Sequence, residues 1–452
     1  MAGLPPPDGA PGPGHLPEGL AESRRDQPLS LYVHVPWCRA RCGYCDFTTS
    51  VLPGGTGPSE TGDGDARRRA TVGPYLRAVE AELALAAGVL GPRPVTTVYF
   101  GGGTPTLLTP GEFQRLLTAV AGRFALDPDA EVTAEANPET LSADYLGRLR
   151  ATGVNRLSLG LQSAVPHVLA TLDRRHTPGR SLDAVGWARR AGFDQVSLDL
   201  IYGAPGESAD DWTTTLDAAL AAGPDHVSAY SLIVENGTPL AARLARGELP
   251  ASDDDETADK YVVADERFEA AGLPWYELSN WGEPCRHNLA YWLSADWWGL
   301  GAGAHSHIDG VRWWNPRRPA AYAARRGSPA EADEILTLDQ RHAERLLLEL
   351  RLRSGLEVGV LTSTERRRAA GLVADGLLAV AASGPVGPTT GLVGPTTRPA
   401  AAGGTTDART TATMTGPPEP RLGGPGGGLP ARLVLTLRGR LLADAVTRDL
   451  LD

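Results

Sequence analysis

Six short apolar runs alternate with six amphipathic stretches between Leu31 and Ala271, and this alternation limits the fold more than any other feature. The runs are Leu31–Pro36, Val95–Phe100, Glu131–Glu135, Arg156–Leu161, Gln195–Ile201 and His226–Val234. Each has strand length and is rich in branched or apolar residues. Between and after them, Tyr75–Leu90, Pro110–Ala125, Thr140–Thr152, Ser181–Ala191, Ala209–Ala222 and Asp259–Ala271 show helical periodicity. A parallel strand pair needs a long crossover, usually a helix, so six such units predict an α/β fold with a parallel sheet and helices outside. Six units rather than eight predict a partial (β/α)6 barrel. In such barrels chemistry gathers at the C-terminal ends of the strands.

Polar motifs stand at those ends. The first strand runs into a cysteine loop, the second ends in Gly101-Gly102-Gly103-Thr104-Pro105, and the third in Glu135-Ala136-Asn137-Pro138. The fourth ends in Gln162-Ser163, and the fifth spans Asp199 to Gly206 through Tyr202, Gly203 and Pro205. Each motif alone is weak, because Gly-rich turns are mostly turns and a strand-end Asp is often a helix cap. Five on one rim describe a site.

The first motif is the most specific. Cys38, Cys42 and Cys45 have the spacing C-x3-C-x2-C, and the fourth cysteine of the chain, Cys285, is remote in sequence. Three thiolates can hold three irons of a cubane cluster and leave one iron open, whereas electron-carrying clusters have four protein ligands. A structural zinc site wants four ligands in two close pairs, and only His34 lies near enough to complete one. Four cysteines in 452 residues fall far short of a disulfide scaffold.

These residues bring a resemblance with them. Leu31-Tyr32-Val33-His34-Val35-Pro36-Trp37-Cys38, continued by Gly43-Tyr44-Cys45-Asp46-Phe47, closely resembles the radical S-adenosylmethionine (SAM) superfamily. It resembles in particular the branch that contains oxygen-independent coproporphyrinogen III oxidase and the heme chaperones of the HemW type. The resemblance covers about residues 30 to 380 and the last twenty or so. It implies that Cys38, Cys42 and Cys45 ligate a [4Fe–4S] cluster whose open iron binds the amino and carboxylate groups of SAM. It also implies that Tyr32, Tyr44, Gly102, Gly103, Thr104, Glu135, Gln162, Arg174 and Asp199 match SAM-contacting positions. The chemistry of SAM suits these side chains. Glycine backbone allows close approach, Glu135 can accept from the amino group or ribose, Gln162 and Arg174 suit a carboxylate, and Asp199 suits a ribose hydroxyl.

Within the branch, the oxidase typically has a further cysteine two residues after the third ligand, where this chain has Phe47. That difference, with Arg286-His287-Asn288-Leu289-Ala290-Tyr291-Trp292 and the run Gly299 to Ser306, points to the chaperone type. The implied function is to bind heme and hand it to recipient hemoproteins. SAM cleavage is expected to remain and coproporphyrinogen oxidation to be absent. The alternative, oxygen-independent coproporphyrinogen III oxidation in porphyrin biosynthesis, is distinguished by product formation.

Residues 276–332 form an aromatic-rich extension expected to close the barrel. Trp281, His287, Tyr291, Trp292, Trp297, Trp298, His305, His307, Trp313 and Trp314 can stack on a porphyrin and offer an axial ligand, or pack as ordinary core. His287 and His305 are the foremost ligand candidates, and Cys285 reads as a buried thiol. The remaining expected boundaries are a disordered tail at 1–29, the barrel at 30–275, and a C-terminal α+β domain at 333–452, which the resemblance implies is winged-helix-like, with a low-complexity insert at 382–430. The stretch Pro53–Asp65 reads as a loop expansion near the cysteines. Net charge is −11, which leaves no general footprint for nucleic acid. No apolar run reaches membrane-spanning length, and no signal-peptide core is visible. The chain is therefore expected in the cytoplasm, with no integral membrane segment. Peripheral membrane contact stays compatible with the sequence.

Overall fold

The computed structural model describes residues 27–52, 63–174, 179–325, 329–382 and 431–452, with residues 16, 17, 20, 177 and 327 besides. Most of the expected N-terminal tail, residues 53–62 of the expected loop expansion and residues 383–430 of the expected insert lie outside the described residues. The described chain divides into two compact units, 1–353 and 354–452. The helix Leu338–Glu349 therefore falls in the first unit, so the second begins later than the expected boundary at 333.

The six expected strands are present. They are β1 (Leu29–Val35), β2 (Pro94–Gly102), β3 (Ala125–Ala136), β4 (Arg156–Gln162), β5 (Gln195–Tyr202) and β6 (His226–Ser231). They pair parallel in sequence order. The extension adds strands at both ends of the row, all antiparallel to their neighbours except where one of them joins β1. β7 (Trp275–Glu277) and β8 (Asn280–Gly282) lie beyond β6. β9 (Trp297–Leu300) joins β1 in parallel and leads to β10 (His305–Ile308), β11 (Val311–Trp314) and β12 (Ala332–Ile335). The aromatic-rich segment thus widens one twelve-stranded sheet from both sides.

The register sorts the strand side chains onto an apolar face and a polar one. Leu31 pairs with Val98, Val98 with Val132, Ala134 with Leu157, Leu157 with Val196, and Leu198 with Val227. All are buried, and this face packs under the crossover helices. The opposite face carries Tyr32 beside Tyr99, Glu135 beside Ser158, Ser158 beside Ser197, and Asp199 beside Ser228. A one-residue slip would exchange the two faces, so the hydrophobic face fixes the register of the polar one.

Local signals set the helix starts. Thr109 and Glu112 form a capping box for Pro110–Ala121. Ser142, Ser208 and Asp253 cap Ala143–Ala151, Ala209–Ala221 and Asp254–Ala270. The first helix is longer than its periodicity suggested, running Asp63–Leu90 through Pro74. It therefore takes in the last three residues of the expected Pro53–Asp65 loop. Proline removes one helical hydrogen bond. Burial of Val72, Tyr75, Leu76, Val79 and Leu83, with an Arg68–Glu112 ion pair at 2.5 Å, outweighs that loss.

The second unit holds the strands Leu356–Glu357, Leu378–Ala382 and Ala431–Leu435 in one antiparallel sheet, with Ala431–Leu435 in the middle. The helices Ser363–Ala374, Leu437–Leu441 and Ala443–Leu451 complete its described part.

Candidate functional site

β1 ends at Val35, and after Pro36 the residues Trp37–Cys38 form a short parallel pair with Ser50–Val51. Ser50 N donates to Pro36 O (2.8 Å) and Leu52 N to Cys38 O (3.1 Å), so the cysteine loop is closed at its neck. Trp37 is buried against Tyr75, with ring centroids 4.9 Å apart. Inside the loop, Gly43 N donates to Leu172 O (3.2 Å), and Gly43 O accepts from Leu240 N (2.9 Å). A Cβ at Gly43 would collide with the Asp173 carboxylate. All three cysteines are half-buried and free. Burial pushes the Cys38 and Cys45 thiols up.

The glycine turn after β2 is fitted under this loop. Gly103 N donates to Val35 O (2.8 Å) and Thr104 N to Trp37 O (2.7 Å), while the Thr104 side chain hydrogen-bonds Cys38. Gly102 has φ 106°, and a Cβ there would strike the His34 ring. One on Gly103 would stand 2.5 Å from Trp37 O. Glycine is therefore required at both positions. Glu135 accepts from Gly102 N (3.0 Å) and from the Tyr99 hydroxyl (2.9 Å). Burial, with the nearby Asp199 carboxylate adding to it, pushes the Glu135 carboxyl up to about 7. Tyr32 donates to His34 Nδ1 (2.9 Å), and His34 Nε2–H donates to Thr48 O (3.0 Å). With both nitrogens engaged, His34 does not serve as a fourth metal ligand.

Arg174 reaches the other side of the loop, where Nη1 donates to Cys42 Sγ at 3.1 Å. A Cβ on Gly160 would stand 2.7 Å from Gln162 Nε2 and 2.9 Å from Arg174 Nη2, so these side chains converge over that glycine. Gln162 is placed there by an irregularity in the β4–β5 register and by its own φ of 65°, a conformation uncommon for a side-chain-bearing residue. Arg174 Nε is buried without a protein partner, open capacity for an anion beside the cysteine loop. Asp199 lies deeper on the same polar face. It accepts from Ser158 Oγ at 3.0 Å to each oxygen, and burial raises its carboxyl. Tyr44 packs instead against Val168, Leu172, Ile201 and Ala204, with Arg174 and Cys42 as electrostatic neighbours.

The expected residues thus gather around one loop, and the donor set suits the expected groups. Among the described residues no set of three or more Cys, His, Asp or Glu side chains is placed to hold a single metal ion. Thiolates that ligate a cubane each face a different iron, so a cluster does not need such convergence. A glycine cradle, an unpartnered guanidinium N–H and a buried carboxyl that can be neutral or anionic near neutral pH suit an amino acid headgroup.

Sequence reasoning missed the supports of this site. Tyr99 orients Glu135, and its signal was two-residue alternation within β2. Tyr75 donates to His34 O (2.7 Å) and accepts from Ala302 N (2.9 Å). Glu82, fully buried, accepts from Tyr322 Oη (2.6 Å), Asn315 Nδ2 (2.9 Å), Gly301 N (3.0 Å) and Trp298 Nε1 (3.3 Å). Together they tie the Gly299–Ser306 run to the end of β1. No local pattern marks a buried glutamate on an amphipathic helix.

The aromatic segment proves largely structural. Trp281, Trp298 and Trp313 are fully buried, and Trp292 nearly so. His287, expected as a foremost ligand candidate, is buried with Nδ1 at 2.7 Å from Thr97 Oγ1 and Nε2 at 2.8 Å from Tyr291 Oη. Neither nitrogen is free for iron. Cys285 is a buried thiol, as expected, donating to Glu131 Oε1 (3.3 Å). Glu131 also accepts from Arg286 N and His287 N (3.0 Å each) and faces Arg156 at 3.7 Å.

The profile of the Radical SAM superfamily matches residues 32–219. A heme chaperone HemW from Mycobacterium tuberculosis is 45% identical over 431 residues, covering 94% of this chain and 95% of its own length. The chain belongs to the HemW family of radical SAM proteins. Heme chaperone HemW from Escherichia coli, another relative, is 36% identical over 68% of this chain and 78% of its own length. The solved structure of coproporphyrinogen III oxidase (HemN) from Escherichia coli superposes with a TM-score of 0.72, covering 95% of this chain and 92% of its own, at 21% identity. The chain thus shares the HemN-like radical SAM fold. Among the described residues no helix is long and apolar enough to cross a membrane.

Proposed function

We propose that this chain is a heme chaperone that binds a [4Fe–4S] cluster, SAM and heme, and passes the heme to recipient hemoproteins in the cytoplasm. The observation that carries the reading is the near-full-length match to a protein named heme chaperone HemW at 45% identity. Phe47 and the arrangement of the cysteine loop support it. Cys38, Cys42 and Cys45 would ligate three irons of the cluster. Gly102, Gly103, Thr104 and Glu135 would receive the amino end of SAM, Gln162 and Arg174 its carboxylate, and Asp199 the ribose, with Tyr32 and Tyr44 beside them. A cluster with an open iron supplies an electron to bound SAM.

The chain's own residues position and shield. The closed neck of the loop fixes where the thiols point, and the tight turn at Gly102 and Gly103 excludes side chains from the SAM headgroup. Arg174 holds a donor on Cys42 while leaving Nε free for a carboxylate. Glu135 can hold or release a proton near neutrality beside the amino end.

The test uses anaerobically reconstituted protein in one buffer, with an optical heme titration and an assay of coproporphyrinogen III decarboxylation with SAM and a reductant. Stoichiometric heme binding without porphyrinogen product is expected. Turnover to protoporphyrinogen IX that is abolished by Cys42→Ala would overturn the reading in favour of the oxidase.

A further inference from the structure

If heme is the cargo, its docking place must satisfy three demands: a free axial donor, an aromatic surface for the macrocycle, and cations for the propionates. The first excludes most histidines of the extension. His287 has both nitrogens engaged, and so has His307, whose Nδ1–H donates to Ala295 O (3.1 Å) while Nε2 accepts from Gly310 N (3.0 Å). His305 differs. The residue is exposed, its backbone oxygen accepts from Trp297 Nε1 (3.1 Å), and its ring nitrogens have no partner among the described residues. It stacks on Trp314 with centroids 5.7 Å apart and planes 24° from parallel.

Its position follows from the sheet register. Trp297 pairs with Ser30 and with His307, and Trp314 pairs with His305. His305, Trp314 and Trp297 therefore share the polar face that carries Tyr32, on the strands added beyond β1. Two residues before His305, Gly303 rests so closely on Thr48 that a Cβ would stand 2.9 Å from its side chain. Thr48 lies between Cys45 and the neck of the cysteine loop. His305 and His34 are electrostatic neighbours, and Arg312 and Arg317 act on His305 in the same way. Arg312 is committed to Glu344 at 2.5 Å. Arg317 is exposed, with no side-chain partner among the described residues.

We infer that the face formed by His305, Trp314 and Trp297 docks an iron porphyrin, with His305 as axial ligand, the Trp314 indole beside it and Arg317 toward a propionate. This rests on the heme-chaperone reading and names its cargo site. The docking place stands on the rim next to the cysteine loop, not among the histidines buried beneath it.

The experiment titrates ferric heme and metal-free protoporphyrin IX into the full-length, cluster-loaded protein, its His305→Ala variant and its Arg317→Glu variant. Optical and electron paramagnetic resonance spectra report the ligation of the heme iron. His305→Ala is expected to lose the histidine-ligated signature and bind heme roughly ten-fold or more weakly. Added imidazole should restore the signature, and metal-free porphyrin binding and iron–sulfide content should not change. Arg317→Glu is expected to weaken both porphyrins with ligation intact. A wild-type spectrum and affinity in His305→Ala would overturn this inference alone. A wild-type protein that binds no heme would overturn the chaperone reading as well.

Discussion

The C-terminal rim of the parallel strands and the buried cluster around Cys285 use similar residues in opposite ways. On the rim, three half-buried thiols are free of disulfides, Arg174 Nε has no partner, and His305, an exposed residue, keeps both ring nitrogens free among the described residues. In the other region, Cys285, Glu131, Arg156 and His287 engage one another and the start of the helix Arg286–Trp292. Buried polar groups that satisfy one another hold a fold, whereas groups left with spare capacity are positioned for something the chain does not itself supply. Residue type alone does not separate the two, because each region offers cysteine, histidine, arginine and glutamate.

The largest expected contrast separates Cys42→Ala from Glu131→Ala. Cys42 is half-buried, so its loss should empty the cluster site, with iron per chain falling from about four to near zero. Far-ultraviolet circular dichroism should stay unchanged. Removing Glu131 leaves Arg156 and a helix start without their carboxylate. It should cost about 3–5 kcal/mol in urea unfolding, with iron content in the surviving folded fraction unaffected. A Glu131→Ala protein of full stability would break the comparison.

Glu82 sharpens it through pH. Burial pushes its carboxyl from 4.5 to about 7 despite four donors. Between those values the native state keeps a proton that the unfolded chain has already released. The stability Glu82 contributes is thus present below about 4.5 and is lost as pH rises to about 7, a change on the order of 3 kcal/mol. Unfolding of cluster-free protein across this range should show the decline, and Glu82→Gln should flatten it.

Gly102→Ala comes next. The positive φ and the clash with His34 should cost about 1–3 kcal/mol and abolish calorimetrically measured SAM binding. Retention of SAM affinity would remove the glycine turn from the site. The smallest effect belongs to Cys285→Ala, about 1–2 kcal/mol with iron content unchanged. Loss of iron in that variant would make Cys285 part of the cluster site and erase the distinction between the regions.

What could be read from the sequence follows the same division. The six parallel strands were legible because each hides one apolar face under a helix, and the rim motifs were legible because they sit where those strands end. The cysteine triplet needed only its spacing. Glu82, Tyr75 and Tyr99 were not legible, since their partners come from distant segments such as Asn315, Ala302 and Glu135. His287 misled for the same reason, because only the fold brings Thr97 and Tyr291 onto its two nitrogens. Gln162 was legible as a residue, but its left-handed backbone and its convergence with Arg174 over Gly160 were not.

The most direct measurement of the central claim is heme transfer. Heme-loaded protein carrying its cluster and SAM under reducing conditions is mixed with an apo-hemoprotein, and the absorbance of the acceptor is followed in time. The account predicts transfer faster than spontaneous heme dissociation, dependent on SAM and lost in Cys42→Ala. Transfer at the dissociation rate, equal in wild type and Cys42→Ala, would contradict it.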